Sequence, residues 1–103
     1  MLEEFRNWYV ENRSELRNLI GEMEFKTSPR IQGSTSKASS GIMFSNDNLT
    51  GDLTIWDTGE CDVTVISSNN GEQVLYEYRE SSSPKELEIN LNSFLEKLRL
   101  LSP

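Results

Sequence analysis

The sequence of 103 residues contains no histidine and a single cysteine, Cys61. Without histidine the chain lacks the usual general base near neutral pH, a common zinc ligand, and the base of Ser-His and Cys-His nucleophile systems. One cysteine excludes an internal disulfide, which fits a reducing compartment. Cys61 falls on the apolar face of a predicted strand, where a small buried side chain is favoured over a nucleophile. We therefore predict no catalytic centre, no metal site and no cofactor.

Long apolar runs are also missing. No run approaches the roughly 20 residues that a membrane-spanning helix needs. The first residues, Met-Leu-Glu-Glu-Phe-Arg, lack the basic start and the continuous apolar segment of a secretory signal. We therefore expect a cytoplasmic protein with no membrane partner.

Positive charge is scarce, because 10 lysines and arginines stand against 17 acidic residues, giving a net charge of -7. Such a surface repels nucleic acid and anionic lipid, and it attracts a basic protein. The alternative is that acidity only keeps a small protein soluble. A partner is therefore expected to be a protein with a basic or mixed-charge surface, and nucleic acid is not expected.

The chain does contain enough apolar and aromatic residues for one modest core, and we expect a single domain over residues 1–103. Helical periodicity marks both ends. Residues 2–20 carry apolar side chains at spacings of three and four, and Gly21 is predicted to end that helix. Near the other end Ser83 is predicted as the N-cap, with Glu86 as its capping-box partner. Apolar residues then recur at intervals of four and three: Leu87, Leu91, Phe94, Leu98 and Leu101.

Between the helices, alternating polar and apolar residues predict five strands. They cover residues 22–27, 37–45, 53–56, 61–66 and 73–79, and residues 28–36 are expected to form a mobile loop. We therefore predict an α+β fold. It has an N-terminal helix, a five-stranded antiparallel meander sheet and a C-terminal helix, with both helices packed on one sheet face.

The alternation also assigns the two faces of the sheet. The residues predicted to lie beneath the helices are Met23, Phe25, Ile42, Phe44, Leu53, Ile55, Val63, Val65, Val74 and Tyr76. Those predicted on the open face are Lys26, Thr54, Asp62, Thr64, Glu77 and Arg79, with Ile66 and Leu75 among them. A two-residue turn at Asn70-Gly71 is expected to join the last two strands. The register that follows pairs Val65 with Tyr76, Val63 with Tyr78, and Asp62 with Arg79.

The orientation of Trp56 depends on the hairpin between strands three and four. A three-residue loop at residues 58–60 pairs Ile55 with Val63 and turns Trp56 to the open face. A loop of two or four residues turns Trp56 inward instead. The apolar alternation favours the first register.

Three carboxylates, Asp57, Glu60 and Asp62, crowd the same hairpin. Solvated turn residues are the simplest interpretation. Of the two functional alternatives, acid–base catalysis and contact with Lys or Arg of a protein, the second suits an exposed turn better. The predicted partner-binding residues are Trp56, Asp57, Glu60, Asp62 and Glu77.

The stretch from Gly51 to Ile66, with its Trp56-x-x-Gly59-Glu60 motif, resembles the TriTu family of small bacterial immunity proteins. The similarity extends to the amphipathic start, the Ser-rich segment before Ile42 and the helix after Ser83. The resemblance implies a protein that protects a bacterium from a secreted toxin. The toxin of this family is the C-terminal domain of a polymorphic toxin delivered by type VI secretion, an ADP-ribosyltransferase that modifies elongation factor Tu.

The resemblance also implies how such a protein acts. It binds the toxin and occludes its active or substrate site, without catalysis of its own, and we expect a monomer in a one-to-one complex. A small acidic secretion or assembly chaperone is the alternative function. An enzyme that uses the hairpin carboxylates is a third hypothesis, for which no substrate suggests itself.

Overall fold

Two helices and five strands follow one another along the described chain, which comprises residues 1–29 and 37–101 of a computed structural model. They are helix α1 (Leu2–Ile20), strands β1 (Met23–Ser28), β2 (Ser39–Ser45), β3 (Leu49–Trp56), β4 (Glu60–Ser67) and β5 (Gln73–Glu80), and helix α2 (Pro84–Leu101). The strands pair in chain order as one antiparallel sheet. The predicted α+β fold is confirmed. Most of the loop predicted at residues 28–36 lies outside the described residues.

Apolar residues at helical spacing place one side of α1 against the sheet. Phe5, Trp8, Leu16 and Ile20 are buried, and the ring of Phe5 stacks on Phe25 of β1 with 5.6 Å between centroids. Gly21 ends the helix, as predicted: its φ is 75°, and its N–H donates to the carbonyl oxygen of Arg17. Glycine adopts this conformation without steric cost.

The C-terminal helix begins at the predicted cap. The Ser83 hydroxyl accepts a hydrogen bond from the backbone N–H of Glu86 (3.1 Å), whereas the Glu86 carboxylate accepts one from the Ser82 hydroxyl (2.7 Å). The apolar stripe of α2 is buried along its length: Leu87, Leu91, Phe94, Leu95 and Leu98. Nε1 of Trp8 donates to Oδ1 of Asn92 across the helix pair (2.9 Å). Both helices therefore form one layer over one sheet face.

The sheet face beneath the helices supplies the other half of the core. Its buried side chains are Ile42, Phe44, Leu49, Leu53, Ile55, Cys61, Val63 and Val65. Met23 and Phe25 are partly buried against them. Cys61 is buried among these residues, as predicted for a small apolar side chain. No helix in the described residues is long and apolar enough to cross a membrane.

The β3–β4 hairpin keeps the predicted orientation but not the predicted register. Ile55 pairs with Cys61 and Leu53 with Val63, so the predicted pairing of Ile55 with Val63 was wrong by two residues. The loop still has an odd number of residues, at positions 57–59, and antiparallel partners share one face. Ile55 therefore points into the core, and Trp56 lies on the opposite face, as predicted.

The β4–β5 hairpin is where the face assignment failed. Its turn is longer than predicted, because the N–H of Ser67 bonds the carbonyl oxygen of Glu72 and the N–H of Gly71 bonds that of Ser67. Only Gly71 has a positive φ (75°), and Asn70 does not, so the two-residue turn with positive φ at both positions is absent.

A β-bulge then follows, because Ile66 pairs with Gln73 while Val65 pairs with Leu75, which leaves Val74 as the extra residue. One inserted residue exchanges the faces of every residue that follows in a strand. The observed pairs are Val63 with Glu77 and Asp62 with Tyr78. All three predicted pairs across this hairpin were therefore wrong.

The bulge moves several residues to the face opposite the one predicted. Val74 and Tyr76 are exposed and do not belong to the core. In the register that the bulge sets, the residues that share a face with Val65, Val63 and Cys61 are Leu75, Glu77 and Arg79, which were predicted on the open side. Tyr76 and Tyr78 replace them there.

Candidate protein-binding face

The sheet surface away from the helices is called the open face here, and the strand register defines its residues, because directly paired residues of antiparallel strands share a face. It includes Glu24, Lys26, Met43, Ser45, Thr50, Asp52, Thr54, Trp56, Glu60, Asp62, Thr64, Ile66, Tyr76 and Tyr78. Three large side chains on it are exposed: Met43 (43%), Tyr76 (52%) and Tyr78 (47%). The open face therefore combines exposed aromatic side chains with the carboxylates of Glu24, Asp52, Glu60 and Asp62.

One end of the open face forms what we call the aromatic corner, a depression of about 330 Å³ lined by Lys37, Trp56, Glu60 and Tyr78. Nζ of Lys37 donates to Oε2 of Glu60 (2.7 Å), and the Thr58 hydroxyl donates to the same oxygen (2.7 Å). These two bonds hold the Glu60 side chain beside the half-buried Trp56. The position of the Glu60 side chain in the aromatic corner is therefore fixed by hydrogen bonds in the free protein.

The same contacts determine the charge of the aromatic corner. The hydrogen bond from Lys37, followed by that from Thr58, lowers the pKa of Glu60, and Glu60 in turn raises the pKa of Lys37. Desolvation and then the hydrogen bond to Glu80 raise the pKa of Tyr78. A general acid needs a raised pKa, so Glu60 does not fit that role. The aromatic corner presents an ionised Glu60–Lys37 pair and a neutral phenol at neutral pH.

Two carboxylates, Asp52 and Asp62, lie on adjacent strands in the middle of the open face, where Asp52 pairs with Thr64 and Asp62 with Thr54. Within the described residues, no lysine or arginine forms an ion pair with either. Oδ1 of Asp62 is buried without a hydrogen-bond partner. Desolvation, and then the charge of Asp62, raises the pKa of Asp52. This pair of like charges destabilises the free protein.

Asp52→Asn should therefore raise the thermal stability of the protein at pH 7. The folded-state pKa of Asp52 lies above its ordinary value, so its ionisation disfavours folding, and stability falls as pH rises from about 4 through the raised pKa. Asparagine removes that loss. The titratable groups that face Asp52 are Asp62 from β4, Tyr76 from β5, Glu24 and Lys26 from β1, and Glu22, which precedes β1.

Melting curves of wild type and of Asp52→Asn between pH 3 and pH 8 measure the difference in their thermal stability. The advantage of Asp52→Asn is expected at pH 7 and should vanish towards pH 3, below the ordinary aspartate pKa of about 3.9, because the carboxyl group is then largely protonated in both the folded and the unfolded wild-type chain. A variant that melts lower than wild type at pH 7 would contradict the destabilising role of this carboxylate.

Four of the five predicted site residues lie on or beside the open face, and the fifth, Glu77, does not. Trp56, Glu60 and Asp62 share the open face, and the exposed Asp57 lies in the turn beside Trp56. Glu77 lies on the helix side of the sheet, where it forms an ion pair with Lys97 of α2. Its predicted position on the open face was wrong, because the bulge at Val74 reverses the faces of β5.

Sequence-based prediction did not place Asp52, Tyr76 or Tyr78 on the open face, where the strand register puts them. Tyrosine is compatible with a core and with a wet surface, because the ring is apolar and the hydroxyl is polar. Val74 and Leu75 are adjacent apolar residues in β5, and the amphipathic Tyr76 follows them, so the alternation there fits either face. The bulge decides between them, and it has no residue signature of its own in Gln73-Val74-Leu75. Asp52 lies one residue before the strand predicted over residues 53–56, whereas β3 begins at Leu49.

Gly59 positions the turn that carries the aromatic corner. Its φ is 99°, and a Cβ built on it would lie 2.0 Å from the carbonyl oxygen of Ser81. The N–H of Ser81 donates to the carbonyl oxygen of Gly59 (2.9 Å). The turn thus packs directly against the segment between β5 and α2, and only glycine fits there. Among the described residues, no group of three or more Cys, Asp or Glu side chains is arranged to hold a metal ion.

The chain folds as a small α+β protein in which the two helices cover one face of the sheet and the open face is exposed to solvent. The chain belongs to the TriTu immunity protein family, whose model matches residues 3–97. No curated protein matches the chain. Family membership confirms the resemblance seen in the Trp56-x-x-Gly59-Glu60 stretch. It makes the chain an immunity protein, and it supports a role in neutralising a toxin through a cognate toxin partner.

Proposed function

We propose that this immunity protein binds its cognate antibacterial toxin through the open face and occludes the toxin's active or substrate site. The observation that carries the proposal is the exposure of aromatic side chains on the sheet face opposite α1 and α2: Tyr76 and Tyr78 are each about half exposed. Tyrosine and tryptophan are enriched among the residues that dominate binding energy in protein interfaces. Trp56 beside them supplies a third aromatic contact.

Charge complementarity supports a protein partner of opposite sign. The chain carries a net charge of -7, and carboxylates outnumber lysines on the open face. Complementary charge speeds association and favours one partner over others. We propose contact of Trp56, Asp57, Glu60 and Asp62 with a basic or mixed-charge toxin surface, and we leave Glu77 out of that surface because of its position beneath α2.

The finer features of the proposal come from the family resemblance. The toxin is an ADP-ribosyltransferase domain of a polymorphic toxin delivered by type VI secretion. The chain acts in the cytoplasm as a single domain over residues 1–103 and as a monomer in a one-to-one complex. It inhibits by binding and performs no catalysis. Neither nucleic acid nor membrane takes part.

Calorimetric titration of the immunity protein with its purified cognate toxin domain tests the proposal. We expect one immunity protein per toxin and a Kd of about 10 nM or below, within the range of tight interfaces of standard size. Association should slow as salt is raised, because charged surfaces attract one another less when screened. The complex should also abolish transfer of ADP-ribose to elongation factor Tu. A failure to bind would refute the proposal.

Light scattering on the free protein separates the proposal from the chaperone alternative. Small secretion chaperones are expected to be dimers, and a dimer that buries Tyr76 and Tyr78 against a second copy would favour that function. We expect a monomer across the accessible concentration range, because two surfaces of the same negative sign repel each other.

A further inference from the structure

A cleft of about 530 Å³ opens on the open face, at the end away from the aromatic corner. It is lined by Glu22, Met23, Glu24, Met43, Phe44, Ser45, Thr50, Gly51, Asp52, Thr64 and Ile66. Two rows of paired residues cross it, one from Met43 through Asp52 to Thr64, and one from Ser45 through Thr50 to Ile66. Apolar side chains therefore flank a carboxylate inside one cleft.

The polar groups of the cleft are not equally free to bind a ligand. The hydroxyl of Thr50 lies 2.8 Å from that of Ser45 and 2.8 Å from that of Ser68, so these hydroxyls already bond one another. The half-buried Asp52 has no ion pair with any described residue. Glu22 and Glu24 also form no ion pair with a described residue, but they are exposed to solvent. Asp52, by contrast, is half-buried between Met43 and Thr64, so it is the carboxylate best shielded from water for contact with an incoming cation.

The charge of the lining is of one sign. Glu22, Glu24 and Asp52 contribute carboxylates, and no lysine or arginine among the described residues lines the cleft. The walls formed by Met43 and Ile66 suit methylene groups. Lysine and arginine combine both features, because an aliphatic stem carries the charged head. A long cationic side chain therefore matches the cleft in shape and in charge.

We infer that the cleft receives a lysine or arginine side chain of the toxin, with its stem between Met43 and Ile66 and its cation on the Asp52 carboxylate. The inference rests on the proposed function, since it specifies how the same face recognises the toxin. A hydrogen bond between two charged groups is stronger than a neutral one, and shielding by apolar walls strengthens it further.

The position of the Asp52 carboxylate lowers the stability of the free protein, and this cost supports a role for Asp52 in binding. Asp52 is desolvated and its charge faces that of Asp62. Lys26 lines a depression together with Asp52 but forms no ion pair with it. A cation from the toxin would relieve that repulsion on binding. Folding and binding should therefore respond to Asp52→Asn in opposite directions: the free protein becomes more stable and the complex becomes weaker.

Calorimetry of Asp52→Asn with the toxin domain tests the inference. We expect at least a tenfold loss of affinity, smaller at high salt, together with a melting temperature no lower than that of wild type, so that unfolding is not the cause. Glu88→Gln is the matched control, because it removes one charge from an exposed position on α2, in the layer opposite the open face. Its affinity should stay within twofold of wild type.

Each other outcome overturns a defined part of the argument. Unchanged or tighter binding by Asp52→Asn, while Trp56→Ala loses affinity, would mean that an apolar group or none enters the cleft, and the proposed function would stand. Wild-type affinity in both variants would place the contact surface elsewhere. An equal loss of affinity in Glu88→Gln would mean that the change in net charge causes the loss in Asp52→Asn, and it would refute the cleft as a specific site.

A double-mutant cycle identifies the partner side chain. Alanine substitutions of exposed lysines and arginines of the toxin are combined with Asp52→Asn. One of them should make Asp52→Asn cause no further loss of affinity, which is the signature of a direct pair. Additive losses for every toxin cation would contradict the inference.

Discussion

Trp56→Ala should weaken toxin binding by about 100-fold or more while the protein remains folded. Trp56 lies at the aromatic corner, on the face opposite the core residue Ile55, and it is only half-buried in the free protein. A large aromatic side chain there contributes little to the core, so its removal leaves the packing between helices and sheet intact. Its contact area becomes fully buried only in a complex.

Calorimetry with the toxin domain measures the loss, and circular dichroism with thermal melting checks the fold. Ile89→Ala is the matched control, because Ile89 is an apolar residue exposed on α2 (60%), in the layer away from the open face. Its affinity should equal that of wild type. If Trp56→Ala unfolds, Trp56 is a structural residue. If it folds and binds normally, the open face is not the toxin-binding surface.

Gly59→Ala should cost about 3 kcal/mol or more of the free energy of unfolding, and lower the melting temperature by roughly 15 °C or more. Two effects add. The φ of 99° is unfavourable for any residue with a Cβ, and that Cβ would lie 2.0 Å from the backbone oxygen of Ser81. The turn would have to separate from the segment that leads into α2, and the bond from the Ser81 N–H would be lost.

Gly71→Ala separates the two effects. Gly71 also has a positive φ, 75°, but nothing lies within 4 Å of a Cβ built there. Its replacement should cost only about 1 kcal/mol, the strain of a left-handed conformation. Chemical denaturation of both variants gives the comparison. Equal losses would mean that the contact of Gly59 with Ser81 is not tight in solution. The difference also assigns a structural role to the glycine of the Trp56-x-x-Gly59-Glu60 stretch.

The hairpin that carries this stretch shows how far local pattern reaches. The alternation of Leu53, Ile55 and Trp56 was enough to turn Trp56 outward, although the predicted pairing was displaced by two residues. A displacement of two preserves the face of every side chain, because the repeat of a strand is two residues. The candidate site around Trp56, Glu60 and Asp62 could therefore be predicted without the correct register.

The hairpin between β4 and β5 has a register that the local pattern did not predict. Asn70-Gly71 correctly predicts a turn, but the turn closes between Ser67 and Glu72, and a bulge at Val74 follows. A shift of one residue exchanges the two faces of β5. Glu77 therefore lies on the helix side of the sheet, and Tyr76 and Tyr78 lie on the open face. Nothing in the local sequence announces the bulge, because Val74, Leu75, Tyr76 and Tyr78 all tolerate either face.

The sequence by itself determined the parts of this protein that depend on local periodicity and local chemistry: two amphipathic helices with their ends, five strands, the α+β class, the outward Trp56 and the family motif. The tertiary structure alone decided what depends on contacts between distant segments. It selected the face of β5, paired Glu77 with Lys97, brought Asp52 beside Asp62, and formed the cleft between Met43 and Ile66. The physical reason is that one inserted residue in a strand changes no local preference, yet reverses which side chains the sheet presents to a partner.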